Sequence, residues 1–413
     1  MKITIIGGGV IGLCTAYYLQ KAGYKVTLIE RNDITDGCSF GNMGYVSPSH
    51  FIPLASPGII SQGLKWMLSS SSPFYIKPRL NGDLIRWGLT FWKNATAKKV
   101  KENAVPLVEL LLLSRHLMND IKNDLGNSFS MTEKGIWMLY KSEKTGDHEK
   151  HLADQAEKYG LKTVICDASQ VQAYEKEVEV NVAGGVLYLD DCHIDSGKFM
   201  RVMFEYLQKA GVEFWLHTEV KGFEKNNGKI NAIITDKSKW ECEELIIANG
   251  SWLGKISKLL GIYIPMQPGK GYSISYSNLE KNLHYPSILV DDRTATTPID
   301  RWLRIGGTME LSGHSDNILP KRVWAIYNAF KKYYPSMNLP QPDVQKAWYG
   351  YRPVSPDGLP YIGRHKKYQN LTYAGGHAML GISAAAGTGR LIEEILSQKN
   401  VSIDIRAFDP ARF

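Results

Sequence analysis

Arg352 stands in GYRPVSPDG, where a glycine and two prolines stiffen the backbone around a side chain that projects from a turn. A guanidinium presents paired donors that match a carboxylate, and a bidentate pair fixes orientation as well as charge. That suits the alignment of a small acid; a surface arginine in a turn is the structural alternative. The second candidate is GGHAMLGISAAAGTGRL. Gly375, Gly376 and Gly381 let backbone approach a flat ligand, with Met379, Leu380 and Ile382 in the same turn. Ser383 starts a helix whose positive end can face developing negative charge, worth about 0.3 to 2 kcal/mol. Tight packing of helix on strand explains Ala384, Ala385 and Ala386 equally well. His50, after SPS, and His377, inside the glycine-rich loop, could line a pocket or be hydrogen-bonded structural residues.

The amino terminus, KITIIGGGVIGLCTAYYLQKAGYKVTLIE, adds a binding unit with a steric logic. Ile3 to Ile6 are apolar enough for a buried parallel strand. Gly7 then permits a tight turn, Gly9 removes a Cβ from the path of a pyrophosphate, and Gly12 lets the helix pack on the strand. Val10 and Ile11 open that helix, whose unpaired N–H groups face the diphosphate. Glu30 closes a second strand, Lys25 to Ile29, where a carboxylate accepts hydrogen bonds from ribose hydroxyls. This order predicts a dinucleotide and by itself separates neither NAD from FAD nor an enzyme from a noncatalytic flavin-binding protein.

Other chemistries find little support. Asp190, Asp191 and Asp195 lie near His193, yet no second cluster or cysteine spacing completes a metal site, so no metal is expected. No GxSxG or Cys/His arrangement appears in a convincing context. The net charge of +8 is spread along the chain without aromatic and basic alternation, which argues against nucleic acid. Five scattered cysteines without a CxxC pair fit a reducing cytoplasm. The apolar start is broken by glycines and has no cleavage site, so no targeting segment is expected, and LVELLLL is interrupted by Glu109. The apolar and basic stretch from Phe51 to Phe91 leaves peripheral contact with the inner membrane face and buried helices as competing readings.

These groups need elements to position them. GCSFGNMGYVSPSHFIPLASPG, Gly37 to Gly58, reads as a long irregular cover. Helical spacing follows from Gly63 to Asp124, then a strand pair in SFSMTEKGIWMLYKS and a helix in HEKHLADQAEKYG. A helix opened by Asp195 and Ser196 leads to a strand meander ending at Asn249 and Gly250. Further strands, a helix from Pro320 to Pro335 and a last helix from Ser383 to Ser397 complete the order. The expected fold is α/β: a Rossmann-like nucleotide domain interleaved with an α+β substrate-binding domain carrying a large, mostly antiparallel sheet. The nucleotide domain is expected to comprise 1–50, 194–262 and 354–413, and the substrate domain 51–193 and 263–353.

With these motifs in place, the chain resembles the FAD-dependent D-amino acid oxidase superfamily, most of all its bacterial D-amino acid dehydrogenase branch. The likeness runs nearly end to end: the glycine motif with Glu30, CSFGNMGYVSPS, PGIISQGLKWML, IKPR, PGKGYS (Pro268 to Ser273), GYRPVSPDGLPYIG and the closing Gly376 to Leu391. It implies FAD, with Arg31 beside the adenosine, Ser39, Asn42, Met43 and Gly44 on the cofactor, and Val220 along the adenine. It implies that Arg352 anchors a substrate carboxylate. The family's carboxylate-holding tyrosine has no counterpart in RTATTPIDRW, which leaves Tyr272 as the substitute. No cysteine follows Cys242, which favours noncovalent FAD. The activity implied is oxidation of a small D-amino acid, of the proline or hydroxyproline type among others, with electrons passed to a quinone, another carrier or oxygen. A glycine or sarcosine oxidase and a 2-hydroxy acid dehydrogenase stay open, because an arginine clamp reads only the carboxylate.

Overall fold

The structure is a computed structural model that describes residues 1–58, 74–77, 79 and 81–413. The KWML motif, the helix expected around it and Pro78 of IKPR lie outside the described residues.

The strand Lys2–Ile6 is buried from Ile3 onward and pairs in parallel with Lys25–Ile29 on one side and Glu244–Ile247 on the other. Six strands result, in the order Tyr361–Arg364, Leu371–Gly375, Glu244–Ile247, Lys2–Ile6, Lys25–Ile29 and Glu213–Trp215, with the first antiparallel to its neighbour. Both faces of this sheet are covered, which explains its unbroken apolar strands. Ile3, Ile5 and Leu28 pack with the helices Val10–Lys21, Ala97–Asp124, Ser196–Lys209 and Gly381–Leu396. Ile6, Ile29 and Ile247 pack with a three-stranded meander, Val220–Asn226, Lys229–Thr235 and Lys239–Glu241.

Among the described residues the second sheet has nine strands. Eight run in the order Trp348–Val354, Gln267–Tyr276, Trp302–Leu311, Thr294–Ile299, Ser287–Leu289, Ile136–Tyr140, Gly184–Tyr188 and Thr163–Asp167, and Phe74–Ile76 joins beside Trp302–Leu311. Two pairings are parallel and the rest antiparallel. One face buries Trp137, Leu139, Ile274 and Ile305 with the helix Pro320–Tyr333. A nucleotide-binding parallel sheet beside a large, mostly antiparallel one is the expected architecture.

Two local expectations change. SFSMTEKGIWMLYKS forms one strand, Ile136–Tyr140; Asn127 Oδ1 captures the Met131 N–H, and Thr132 makes only an isolated bridge to His193. In the closing helix, Gly387 and Gly389 are the sites of close helix-on-helix packing. A Cβ at Gly389 would lie 2.6 Å from the Cys14 carbonyl oxygen, and one at Gly387 3.1 Å from Leu110 and Ser114. Gly389→Ala is therefore expected to lower unfolding free energy by about 1–3 kcal/mol in denaturant titration. Gly88→Ala, on a helix with open space around it, is expected to raise it by about 0.5–1 kcal/mol.

Candidate functional site

The glycine turn forms the first wall. Gly7 has φ +116°, and a Cβ there would lie 2.5 Å from the Ala248 carbonyl oxygen. A Cβ at Gly12 would collide with the Gly7 carbonyl, so the helix sits directly on the strand end. Gly9 caps that helix with no side-chain partner, leaving the helix start open to an anion apart from Val10 N–H, which donates to Ser39 Oγ at 2.9 Å. The Glu30 carboxylate accepts from Gly8 N–H at 2.7 Å and Asn32 N–H at 3.1 Å. Arg31 lies 4.6 Å from the Trp252 ring centre, and Trp252 stacks on His314. Val220, Asn249 and Gly250 continue the wall, and Asn249 Oδ1 is buried with no partner.

The cover segment forms the roof because its carbonyls are turned away from the cavity. Ser196 Oγ donates to Phe40 O at 2.9 Å, Ser273 Oγ to Gly41 O at 3.1 Å, Arg304 to Asn42 O at 2.6 Å and Thr297 Oγ1 to Met43 O at 2.7 Å. Four successive carbonyls are thus held, three of them by the large sheet. Gly44 has φ +69°, and a Cβ there would strike the Ile194 carbonyl. Ser383 Oγ accepts from Ser47 N–H and donates to Tyr45 O, which ties the closing helix to this roof.

Strand alternation builds the third wall. Trp348, Gly350 and Arg352 share one face, and Tyr349 and Tyr351 turn to the other, where both hydroxyls meet Asp316 at 3.1 Å. The Trp348 indole lies against Gly41 and Gly350. The Arg352 guanidinium lies across Gly271, whose missing side chain leaves it room, and donates to Thr308 O at 2.6 Å. Among the described residues no carboxylate pairs with it. Burial holds its pKa below the ordinary guanidinium value, opposed weakly by the Cys38 thiol. Ala378 N–H donates to Pro353 O at 2.9 Å, which sets the glycine-histidine loop and the helix start at Gly381 beside Arg352.

All three walls bound one continuous cavity of about 2220 Å³. Gly7, Gly9, Val10, Ile11, Glu30, Arg31, Ser39, Asn42, Met43 and Gly44 line it, as do Val220, Asn249, Gly250, Met379, Leu380, Gly381 and Ile382. The residues fit an FAD: an open helix start for a diphosphate, the buried, unpaired Asn249 Oδ1, and glycines where a Cβ would intrude. Gly12 and Gly376 do not line the cavity. Gly376 instead takes φ +81° and clears the Tyr361 ring.

Tyr272 is among the residues that line the cavity, but its hydroxyl is engaged away from Arg352. Its strand neighbours Gly271 and Ser273 face the cavity side, so its own side chain enters the opposite core, where its hydroxyl donates to Glu310 at 2.8 Å. His377 lines the cavity too, with Nε2 2.9 Å from Thr388 Oγ1 and burial driving its pKa down to about 3. His50 does line the cavity, bonded through Nδ1 to Ser49 Oγ at 3.0 Å, and burial lowers its pKa to about 4. Neither histidine changes charge near pH 7. Sequence reasoning missed Trp348, Arg304 and Cys38. Trp348 was legible as the residue four before Arg352 on the same strand face, whereas the reach of Arg304 to Asn42 had no sequence signal. Tyr272→Phe is expected to cost about 1–3 kcal/mol of stability, by leaving Glu310 short of a donor, without changing the affinity of a carboxylate competitor for the cavity.

Comparison with known proteins agrees with this geometry. Residues 2–395 match the family described as FAD dependent oxidoreductase. A D-amino acid dehydrogenase from Granulibacter bethesdensis is 32% identical over 421 residues, covering 100% of each chain. Another from Helicobacter pylori is 32% identical over 409 residues, covering 97% of each. Glycine oxidase from Geobacillus kaustophilus superposes with a TM-score of 0.79 at 20% identity, over 100% of this chain and 98% of that one. L-proline dehydrogenase from P. horikoshii gives 0.79 at 19%, over 100% and 97%; at such identities the likeness concerns the fold. With its glycine-turn strand and helix, its roofed cavity and a family match from residue 2 to 395, the chain belongs to the DAO family of FAD-dependent oxidoreductases.

Proposed function

We propose that the protein is a D-amino acid dehydrogenase that binds FAD noncovalently and oxidises a small D-amino acid held by Arg352. The observation that carries this reading is the Arg352 guanidinium: half-buried on the cavity wall, spending a hydrogen bond on Thr308 O, and paired with no protein carboxylate among the described residues. An anion from outside completes it. FAD, when bound, takes the two electrons. The chain's own residues bind the carboxylate, orient the α-carbon and exclude water, and no acid or base with a pKa near 7 stands beside Arg352 among the residues named above. Cys38, which lines the cavity, has its thiol pushed up by burial, which supports noncovalent attachment. The strands of the six-stranded sheet fall within 1–50, 194–262 and 354–413 and those of the large sheet within 51–193 and 263–353 except for Val354, the last residue of Trp348–Val354, in support of that division into cofactor and substrate domains.

We also infer peripheral contact with the inner membrane face. The helix Gly82–Asn94 docks through Trp87, whose indole N–H donates to Val354 O at 3.0 Å, and turns Ile85, Leu89 and Trp92 outward at 55%, 57% and 63% exposure. These follow i, i+4, i+7 spacing and are flanked by the exposed Lys93, Lys98, Lys99 and Lys101, a pattern suited to anionic lipid. No helix among the described residues is long and apolar enough to cross a membrane.

Anaerobic mixing of the holoenzyme with D- and L-amino acids, both prolines included, is expected to bleach the flavin with the D series; bleaching by no amino acid would contradict the proposal. Arg352→Ala is expected to lower kcat/KM by about thirtyfold or more, from a loss of about 2–5 kcal/mol. Pelleting with vesicles containing phosphatidylglycerol, weakened about tenfold by Ile85→Glu with Leu89→Glu, checks the membrane face.

A further inference from the structure

One residue of the large sheet stands in a conformation that its own side chain does not repay. Thr308 has φ +62° inside the strand Trp302–Leu311. Among the described residues other than glycine at positive φ, it alone is β-branched and it alone lies within a strand. A branched side chain is strained in that region. The hydroxyl gives nothing back, since Oγ1 is buried without a hydrogen-bond partner among the described residues.

Strand pairing explains how the conformation arises. Lys270 stands opposite Glu310 and Tyr272 opposite Gly307, so Thr308 and Met309 together face the single residue Gly271, which is a β-bulge. On the other side the neighbouring strand changes at the same point, from Thr294 beside Gly307 to Phe74 beside Met309. Thr308 is thus paired in neither ladder among the described residues. The buried Lys270–Glu310 ion pair, 3.6 Å apart, pins the register on one flank. A carbonyl released from the ladder needs another donor, and that of Thr308 receives Arg352 Nη1 at 2.6 Å. Arg352 reaches it from the edge strand Trp348–Val354 by crossing the adjacent strand at Gly271, where a Cβ would run into Nη1 and Nη2. The notch that seats the guanidinium is therefore made by the bulge on one strand and the missing side chain on the next.

We propose that Thr308 is a positioning residue: its bulge carbonyl fixes the plane and direction of the Arg352 guanidinium, leaving Nε and Nη2 to take the substrate carboxylate. The inference rests on the reading that Arg352 holds that carboxylate. It also explains why the position is not glycine. Glycine reaches the same φ without strain but over a broad range of angles, whereas a branched residue forced into the left-handed region has a narrow well and aims its carbonyl one way. Precision matters here, because misplacing a bound group by about 1 Å can cost on the order of a hundredfold in rate.

The test sets stability against activity in two variants of the holoenzyme. Thr308→Gly relieves the strain, so its thermal midpoint is expected to hold or rise. Its kcat/KM for the D-amino acid and its affinity for benzoate, read from the flavin bands, are each expected to fall at least about tenfold. A residue with a purely structural role would show the gain in stability alone. Thr308→Val returns the branch without the hydroxyl and is expected to recover the parent values of both. Unaltered FAD content certifies that each variant folds. Parent kinetics and parent benzoate affinity in Thr308→Gly would overturn the proposal; so would equal losses in Thr308→Val, which would assign the effect to the hydroxyl. Should no amino acid bleach the parent flavin, the functional reading fails, and the benzoate titrations of the three proteins still decide whether Thr308 positions Arg352.

Discussion

A guanidinium withdrawn from water without an anion is an expensive thing to build, because the charge loses solvation that one carbonyl cannot replace. Arg352 is half-buried on the cavity wall, with no carboxylate beside it among the described residues. Thr308 supplies the carbonyl from a backbone at φ +62°, and Gly271 supplies the space. Much of the large sheet's edge follows from this requirement. Gly350 and Gly271 face each other across neighbouring strands, so the surface under the guanidinium and the Trp348 indole is bare backbone. A carboxylate arriving there would restore the missing charge balance and be fixed in two dimensions by the planar donors.

The second constraint is the join between the sheets. The roof over the cofactor cradle belongs by sequence to the nucleotide fingerprint, yet Ser273, Thr297 and Arg304 of the other sheet hold its carbonyls. A flat ring beneath the roof and a carboxylate on Arg352 would therefore be positioned by the same sheet. Rigid elements hold such constellations more closely than loops do. The two histidines contribute by packing and hydrogen bonding, since burial keeps both neutral.

How much of this was readable beforehand depended on distance along the chain. The fingerprint strand, turn and helix were legible because each glycine acts on a neighbour: Gly12 on Gly7, Gly9 on Ser39 through the helix start. The α/β architecture was legible in the order of its elements, and Arg352 drew attention through its stiff GYRPVSPDG surroundings and lies on the cavity wall. The face on which the Tyr272 side chain falls was not legible, because it depends on the pairing of Gly271 with Gly350, and a shift of one residue reverses every side chain. Gly376 looked like a ligand contact and proves to clear Tyr361, a residue brought near only by the fold.

The central claim is that Arg352 holds a carboxylate against the flavin. Its most direct test is a titration of oxidised holoenzyme with a nonoxidisable aromatic carboxylate while the flavin absorption spectrum is recorded. The account predicts a saturable perturbation of the flavin bands that Arg352→Met abolishes with FAD content unchanged. An identical perturbation and affinity in Arg352→Met would contradict it.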